Sequence, residues 1–277
     1  MTRALVLGGG GVTGVAWEWG VLAGLAERGV QLADADLVVG TSAGSVVGAQ
    51  LCSGRPVEES YGAQLAPPQG EVAARFGFAA VARLVWAGGR TRDAARSRAR
   101  IGAMALAART PSEASRRAVI ESRLPAREWP QRRLLVTAVD ASSGEFVVFE
   151  AGSGVSLVDA VGASCAVPGV WPPVSIGERR YVDGGMRSPV NADLAAGAQR
   201  VVVLAPTAAA FGPMPRLSAQ VTALQAAGAQ VAVVAPDAAA RSAIGRNMLD
   251  PARRAAAARS GRAQAASVLD EVSAVWS

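Results

Sequence analysis

The chain has 277 residues, 51% of them hydrophobic, and a net charge of +6 carried by arginine alone, because it contains neither lysine nor histidine. Those two absences exclude P-loop GK[ST] sites, lysine Schiff bases, Cys-His and Ser-His-Asp sites and His-containing metal centres. The 31 glycines and the Ala, Val and Leu bias suit a layered α/β protein. The two cysteines, Cys52 and Cys165, are too few for a four-thiolate metal site and are expected to sit reduced in the interior.

Arg3–Leu7 reads as a buried strand, Gly8–Gly14 as a turn, and the segment to about Arg28 as a helix. Val15, Trp19, Leu22 and Ala26 recur there at helical spacing and are expected to face a sheet. The Met1–Leu7 stretch is too short for a signal-peptide core, and no run of about 18 apolar residues follows anywhere. The default location is therefore the cytoplasm, with peripheral membrane contact left open. Asp36–Val39 is the second strand and Ser42–Ser53 the helix it feeds. Strand, tight loop and helix, repeated, predict parallel right-handed crossovers.

From about Pro56 to Glu128 the pattern is helical, broken by Pro67-Pro68, Gly88-Gly89 and Pro111, and reads as a cap or insertion, more mobile than the core, within a single domain over 1–277. Residues 72–133 hold 14 arginines against Asp93, Glu113, Glu121 and Glu128. These read as solvated helix faces, with an anionic membrane surface as the alternative. Phe76, Phe78 and Trp86 do not interleave with the charges as base stacking requires, so no nucleic-acid partner is expected.

Leu134–Ala138 and Glu145–Glu150 are strands joined through Ser142-Ser143-Gly144, and Leu157–Ser164 is a short helix leading into the rigid loop Pro168–Pro173. Arg180–Val182 is a brief strand ending at Asp183-Gly184-Gly185, and Val201–Leu204 and Val231–Val234 are all-apolar strands of a sheet covered on both faces. Asp250-Pro251 opens a last helix whose Val268, Leu269, Val272, Val275 and Trp276 form a stripe expected to dock on the core.

Three motifs carry the chemistry. Gly8–Gly14 opens a helix directly after the first strand, a geometry that serves a dinucleotide pyrophosphate, through Gly9, Gly11 and Gly14 as G-x-G-x-x-G, or an oxyanion hole, or only a tight connection. Gly40-Thr41-Ser42-Ala43-Gly44 is the G-x-S-x-G pattern of a nucleophile elbow, although Ser42 is also a good helix cap. Loops after parallel strands emerge at the same carboxyl edge, which brings Ser42 toward Gly9–Gly11 and the Ala43 amide. A serine nucleophile needs a base, and here that base must be a carboxylate or something weaker. Asp183, expected in an open turn at a sheet edge, is the best placed; its alternative role is an Asx-turn. Asp140 and Glu145 flank a turn, and Glu18 lies inside an apolar helix.

Gly8–Gly14, the GTSAG pentapeptide and the late Asp183-Gly184-Gly185 together resemble the patatin-like phospholipases, strongly over residues 4–53 and again over 160–193, where Ala163–Pro173 looks like the family's loop before its DGG. The resemblance implies a three-layer α/β/α fold with a mainly parallel sheet and a helical cap, and a Ser-Asp dyad acyl hydrolase acting on lipid esters in phospholipase A or lysophospholipase fashion, without cofactor or metal. It makes Ser42 the nucleophile, Asp183 the base and the backbone of Gly9, Gly10 and Gly11 the oxyanion hole, with Gly14, Gly40, Gly44, Gly184 and Gly185 supporting the motifs. Thr13 departs from the family's Arg or Lys at that place. The competing readings are a dinucleotide-binding oxidoreductase, disfavoured because Gly40-Thr41-Ser42 occupies the place of its ribose-binding acid, and a catalytically inactive scaffold that recruits membranes.

Overall fold

The computed structural model describes residues 1–67, 74, 82, 84, 86–89 and 91–277. Pro68, Phe76, Phe78 and the rest of the predicted cap between those spans lie outside the described residues.

The sheet grows from runs that are apolar at nearly every position. In β1 (Arg3–Leu7), Ala4 and Val6 join one core cluster and Leu5 and Leu7 the other, because successive side chains leave a strand on opposite faces. With both faces covered by other layers, β2 (Leu37–Gly40) and β7 (Arg200–Leu204) are buried almost end to end. β1 pairs in parallel with β2 and β7, β2 with β3 (Arg133–Asp140), and β7 with β8 (Gln230–Val234). Three antiparallel strands extend one side: β4 (Phe146–Phe149) and β6 (Arg179–Asp183) pair β3, and β5 (Val174–Ile176) pairs β6. The architecture is the predicted α/β layering around a mainly parallel sheet. β5 has no counterpart among the predicted elements, since its three residues directly follow Pro172-Pro173 and make no run of their own.

The first helix, α1 (Gly11–Ala26), starts inside the predicted glycine turn, and every residue from Thr13 to Leu25 is buried. A single sheet-facing stripe is therefore the wrong picture for α1. Its far side is closed by the last helix, Arg254–Trp276. That helix does dock on the core, but the residues it buries are mostly small: Ala257, Ala258, Gly261 and Ala265 join Val272 and Trp276, while Val268, Leu269 and Val275 are only partly covered. Small side chains let the two backbones approach. A Cβ on Gly20 would stand 2.1 Å from the Ala258 carbonyl oxygen, and one on Gly261 would stand 2.3 Å from that of Trp17. The buried indoles are satisfied across the same seam, Trp17 donating to Gln264 Oε1 at 3.0 Å and Trp276 to the Gln31 carbonyl at 2.9 Å. Gly20→Ala is accordingly expected to destabilise the protein by about 1–3 kcal/mol, read as a lower urea midpoint at unchanged slope.

The remaining helices around the site are α2 (Ala43–Cys52), α3 (Val57–Leu65) and the segments Ala94–Leu106, Glu113–Arg123 and Leu157–Ser164. Both cysteines are free thiols; Cys165 is buried and Cys52 only half-buried.

Candidate active site

Strand register alone gathers the three motifs. Gly40 stands opposite Val136 and Asp183 opposite Ala138, two residues further along β3. Leu7, the last residue of β1, pairs with Gly40, so the glycine loop opens at the same level.

Ser42 sits at φ 52°, ψ −113°, a left-handed conformation for a residue with a Cβ, which costs on the order of 1–3 kcal/mol and must be held by its surroundings. The turn is tight enough to require glycine beyond it: a Cβ on Gly44 would lie 2.0 Å from the Leu7 carbonyl oxygen. Ser42 does not cap α2, because its side chain accepts no bond from the first-turn amides. The Ser42 N–H donates instead to Ser164 Oγ at 2.9 Å, and its carbonyl accepts from Ser45 Oγ at 2.7 Å and Cys165 Sγ at 3.3 Å. Its neighbour Thr41 is pinned through its hydroxyl, which accepts from Asn191 Nδ2 and Thr137 Oγ1, each at 3.0 Å.

Asp183 is only 3% exposed, which corrects the expected open turn at a sheet edge: β5 covers the outer side of β6, and the Asp183 N–H is bonded to the Ala166 carbonyl at 3.1 Å. The Asx-turn is present, the Gly185 N–H donating to Oδ1 at 2.8 Å. The Ser42 hydroxyl lies close enough to the same carboxyl to favour its charged form. Burial pushes its pKa up to about 7, against the opposing pull of the Ser42 hydroxyl, the Gly185 amide and the nearby Arg116 guanidinium. Arg116 is itself buried, stacked 4.0 Å over the Trp171 ring. The other acids are engaged elsewhere. Asp140 Oδ1 accepts the Ser142 and Ser143 amides, Glu145 pairs with Arg179 at 2.9 Å, and Glu18 is fully buried in α1, where loss of hydration holds its carboxyl well above the ordinary range.

The glycine loop differs from expectation in one donor. A Cβ on Gly9 would lie 3.6 Å from Ser42 Cβ, so the loop does flank the serine, but the Gly9 N–H is spent on the Pro189 carbonyl at 2.8 Å. The Gly10, Gly11 and Ala43 amides, at the first turns of α1 and α2, have no hydrogen-bond partner among the described residues. Gly14 lies within α1, its N–H on the Gly10 carbonyl. Gly184 packs against Thr137, and both the N–H and the hydroxyl of Thr13 point to the Met248 carbonyl, at 3.2 and 3.3 Å. Beside Ser42 is a cavity of about 30 Å³ lined by Gly11, Val12, Arg116, Trp171 and Leu249. Through Val12, Val15, Val46 and Arg123 it continues into a groove of about 330 Å³ that reaches Ser60 and Gln64. A wider depression of about 1000 Å³, between Asp34–Asp36, Cys52 and Trp129–Arg133, contains neither Ser42 nor Asp183.

A family model described as patatin-like phospholipase matches residues 5–196. The chain belongs to the patatin-like phospholipase family. No curated protein matches it. Among solved structures, VipD from Legionella pneumophila aligns at 14% identity with a TM-score of 0.49, over 97% of this patatin-like chain and 67% of VipD. The type III effector protein ExoU aligns at 16% identity with a TM-score of 0.42, over 98% of this chain and 53% of ExoU, so the chain spans about half of ExoU's length. Membership places the protein among lipid hydrolases. No helix among the described residues is long and apolar enough to cross a membrane.

The residues of this patatin-like site that no motif announces are Ser45, Ser164 and Cys165, which hold the Ser42 backbone, Thr137 and Asn191, which hold the Thr41 hydroxyl, and Arg116 and Trp171, which wall the cavity. Ser164, Cys165 and Trp171 fall inside the Ala163–Pro173 resemblance, and the join of a short helix to a proline-rich loop is the one signal that singles them out.

Proposed function

We propose that the protein hydrolyses carboxylic esters of lipids by a Ser42–Asp183 dyad through an acyl-Ser42 intermediate. The observation that carries this reading is the buried Asp183 carboxyl beside the hydroxyl of a strained, uncapped serine in a chain with no imidazole. Asp183 takes the Ser42 proton as Oγ attacks the ester carbon, and the negative charge that forms on the carbonyl oxygen is met by the free amides of Gly10, Gly11 and Ala43. Collapse of that adduct expels the alcohol, to which Asp183 returns the proton. Asp183 then activates a water that releases the carboxylic acid and restores Ser42. A carboxyl held near 7 suits both directions of transfer at neutral pH, which one in its ordinary range would not. The floor of Val12, Val15 and Val46 suits an acyl chain leading away from Ser42. The exposed Trp86 and Leu106 and the surface arginines are consistent with peripheral contact with an anionic membrane.

A fluorophosphonate probe followed by peptide mapping is expected to modify Ser42, and no other residue, at pH 8. Absence of a Ser42 adduct, together with NAD(H) binding in a calorimeter, would return the glycine loop to the dinucleotide reading.

A further inference from the structure

We propose that the consecutive residues Ser164, Cys165 and Ala166 are the positioning element of the site, fixing the backbones of Ser42 and Asp183 relative to one another. The inference rests on the dyad reading above. Ser164 Oγ accepts the Ser42 N–H at 2.9 Å, Cys165 Sγ donates to the Ser42 carbonyl at 3.3 Å, and the Ala166 carbonyl accepts the Asp183 N–H at 3.1 Å. One turn of chain thus grips both ends of the Ser42 residue and one end of Asp183. The Ser42 N–H precedes the first turn of α2, where no helical carbonyl can accept it. Ser164, which has no exposed surface, supplies the missing acceptor. Buried amides left without an acceptor are strongly disfavoured, so the bond favours the strained conformation over a relaxed one.

The gripping segment is itself held rigidly. Ser156 caps the helix Leu157–Ser164 by accepting the Asp159 N–H at 3.1 Å. The Cys165 N–H bonds to the Val161 carbonyl at 3.0 Å, the Ala166 N–H to that of Ala163 at 3.2 Å, and the Val167 N–H to that of Cys165 at 3.0 Å, after which Pro168 stiffens the exit. Burial keeps the Cys165 thiol protonated at neutral pH, with its pKa pushed up to about 11, so the sulfur remains a donor. None of the three side chains is bonded to Ser42 Oγ or to the Asp183 carboxyl, and their role is positioning rather than proton transfer.

The test compares variants by the rate of fluorophosphonate addition to Ser42, by kcat and KM for a short p-nitrophenyl ester, and by the pH midpoint. Ser164→Ala is expected to slow labelling and kcat about ten- to a hundredfold with KM within about twofold, since geometry at the reacting atoms is lost and substrate contacts are kept. Its pH midpoint is expected to move upward, because a loosened Ser42 hydroxyl no longer stabilises the Asp183 carboxylate. Ser164→Thr keeps the oxygen and is expected to recover the rate. Should Ser164→Ala not fold, Cys165→Ala, expected slow and shifted, is set against Cys165→Ser, which keeps a donor and is expected close to wild type. A folded Ser164→Ala with wild-type labelling rate and midpoint, or equal rates for the two Cys165 variants, overturns the proposal. A wild-type protein that never labels at Ser42 removes the dyad reading instead, and that control is read first.

Discussion

Ser42→Ala is expected to lower kcat/KM for a p-nitrophenyl ester by at least about 10³-fold, and Asp183→Asn by a similar factor, with both proteins folded. The size follows from the absence of any substitute. The chain has no histidine or lysine, and Asp140, Glu145 and Glu18 are tied to a turn, to Arg179 and to the interior of α1. The amide introduced by Asp183→Asn would keep a carbonyl oxygen for the Gly185 N–H, so the Asx-turn survives while the proton acceptor is lost. The two substitutions act on one step, and the double variant is expected to be no slower than either single one. Steady-state rates of the three purified variants decide the matter: turnover within tenfold of wild type in either single variant removes the dyad.

Asp183→Asn is also expected to stabilise the protein at alkaline pH while abolishing its activity. The carboxyl has a folded-state pKa of about 7, raised first by burial, against an ordinary value of 3.8. Between those two values the folded chain holds a proton that the unfolded chain releases, so stability declines as pH rises from about 4 to about 7 and then levels off. At pH 8 the penalty is on the order of 4 kcal/mol as an upper bound, at 1.36 kcal/mol for each decade of proton affinity. An asparagine carries no charge to bury and escapes it. Melting temperatures of wild type and Asp183→Asn are therefore expected to diverge with pH, the variant being higher at pH 8 and the two converging below pH 4. Identical profiles would mean the buried carboxyl is not the raised one. Wild-type kcat/KM should rise with pH through a midpoint near 7, and Arg116→Gln should move that midpoint upward, because its cation favours the carboxylate.

The strands and the three motifs were legible in the sequence because each depends on local chemistry: apolar runs for buried strands, glycines for the elbow, an aspartate at a strand end. Helix Leu157–Ser164 has the bounds its pattern predicts. What escaped depends on contacts between distant segments. Asp183 is enclosed by segments distant in the chain, its N–H on the Ala166 carbonyl and its strand flanked by a β5 of three residues, too few to register as a run, and α1 is buried all round because a helix more than two hundred residues later covers its far side. The engagement of the Gly9 N–H escapes for the same reason. Nothing near Gly9 in the chain indicates that Pro189 takes its amide. The clamp on Ser42 is likewise invisible locally: Ser164 lies 122 residues away, and the loop it opens carries no sign that its hydroxyl is the acceptor of the Ser42 N–H.

The seam between α1 and the last helix bears on how the chain matures during synthesis. Trp17 and Gln264 are separated by 247 positions, and the small residues that let these helices touch are useless until both exist. A ribosome-bound chain in which Arg254–Trp276 has not yet emerged would leave α1, the helix that the glycine loop opens, without its outer wall. Ester-cleaving competence is therefore expected to arise only after that helix has cleared the exit tunnel, and the delay in closing so long a loop should make folding slow for a protein of this size.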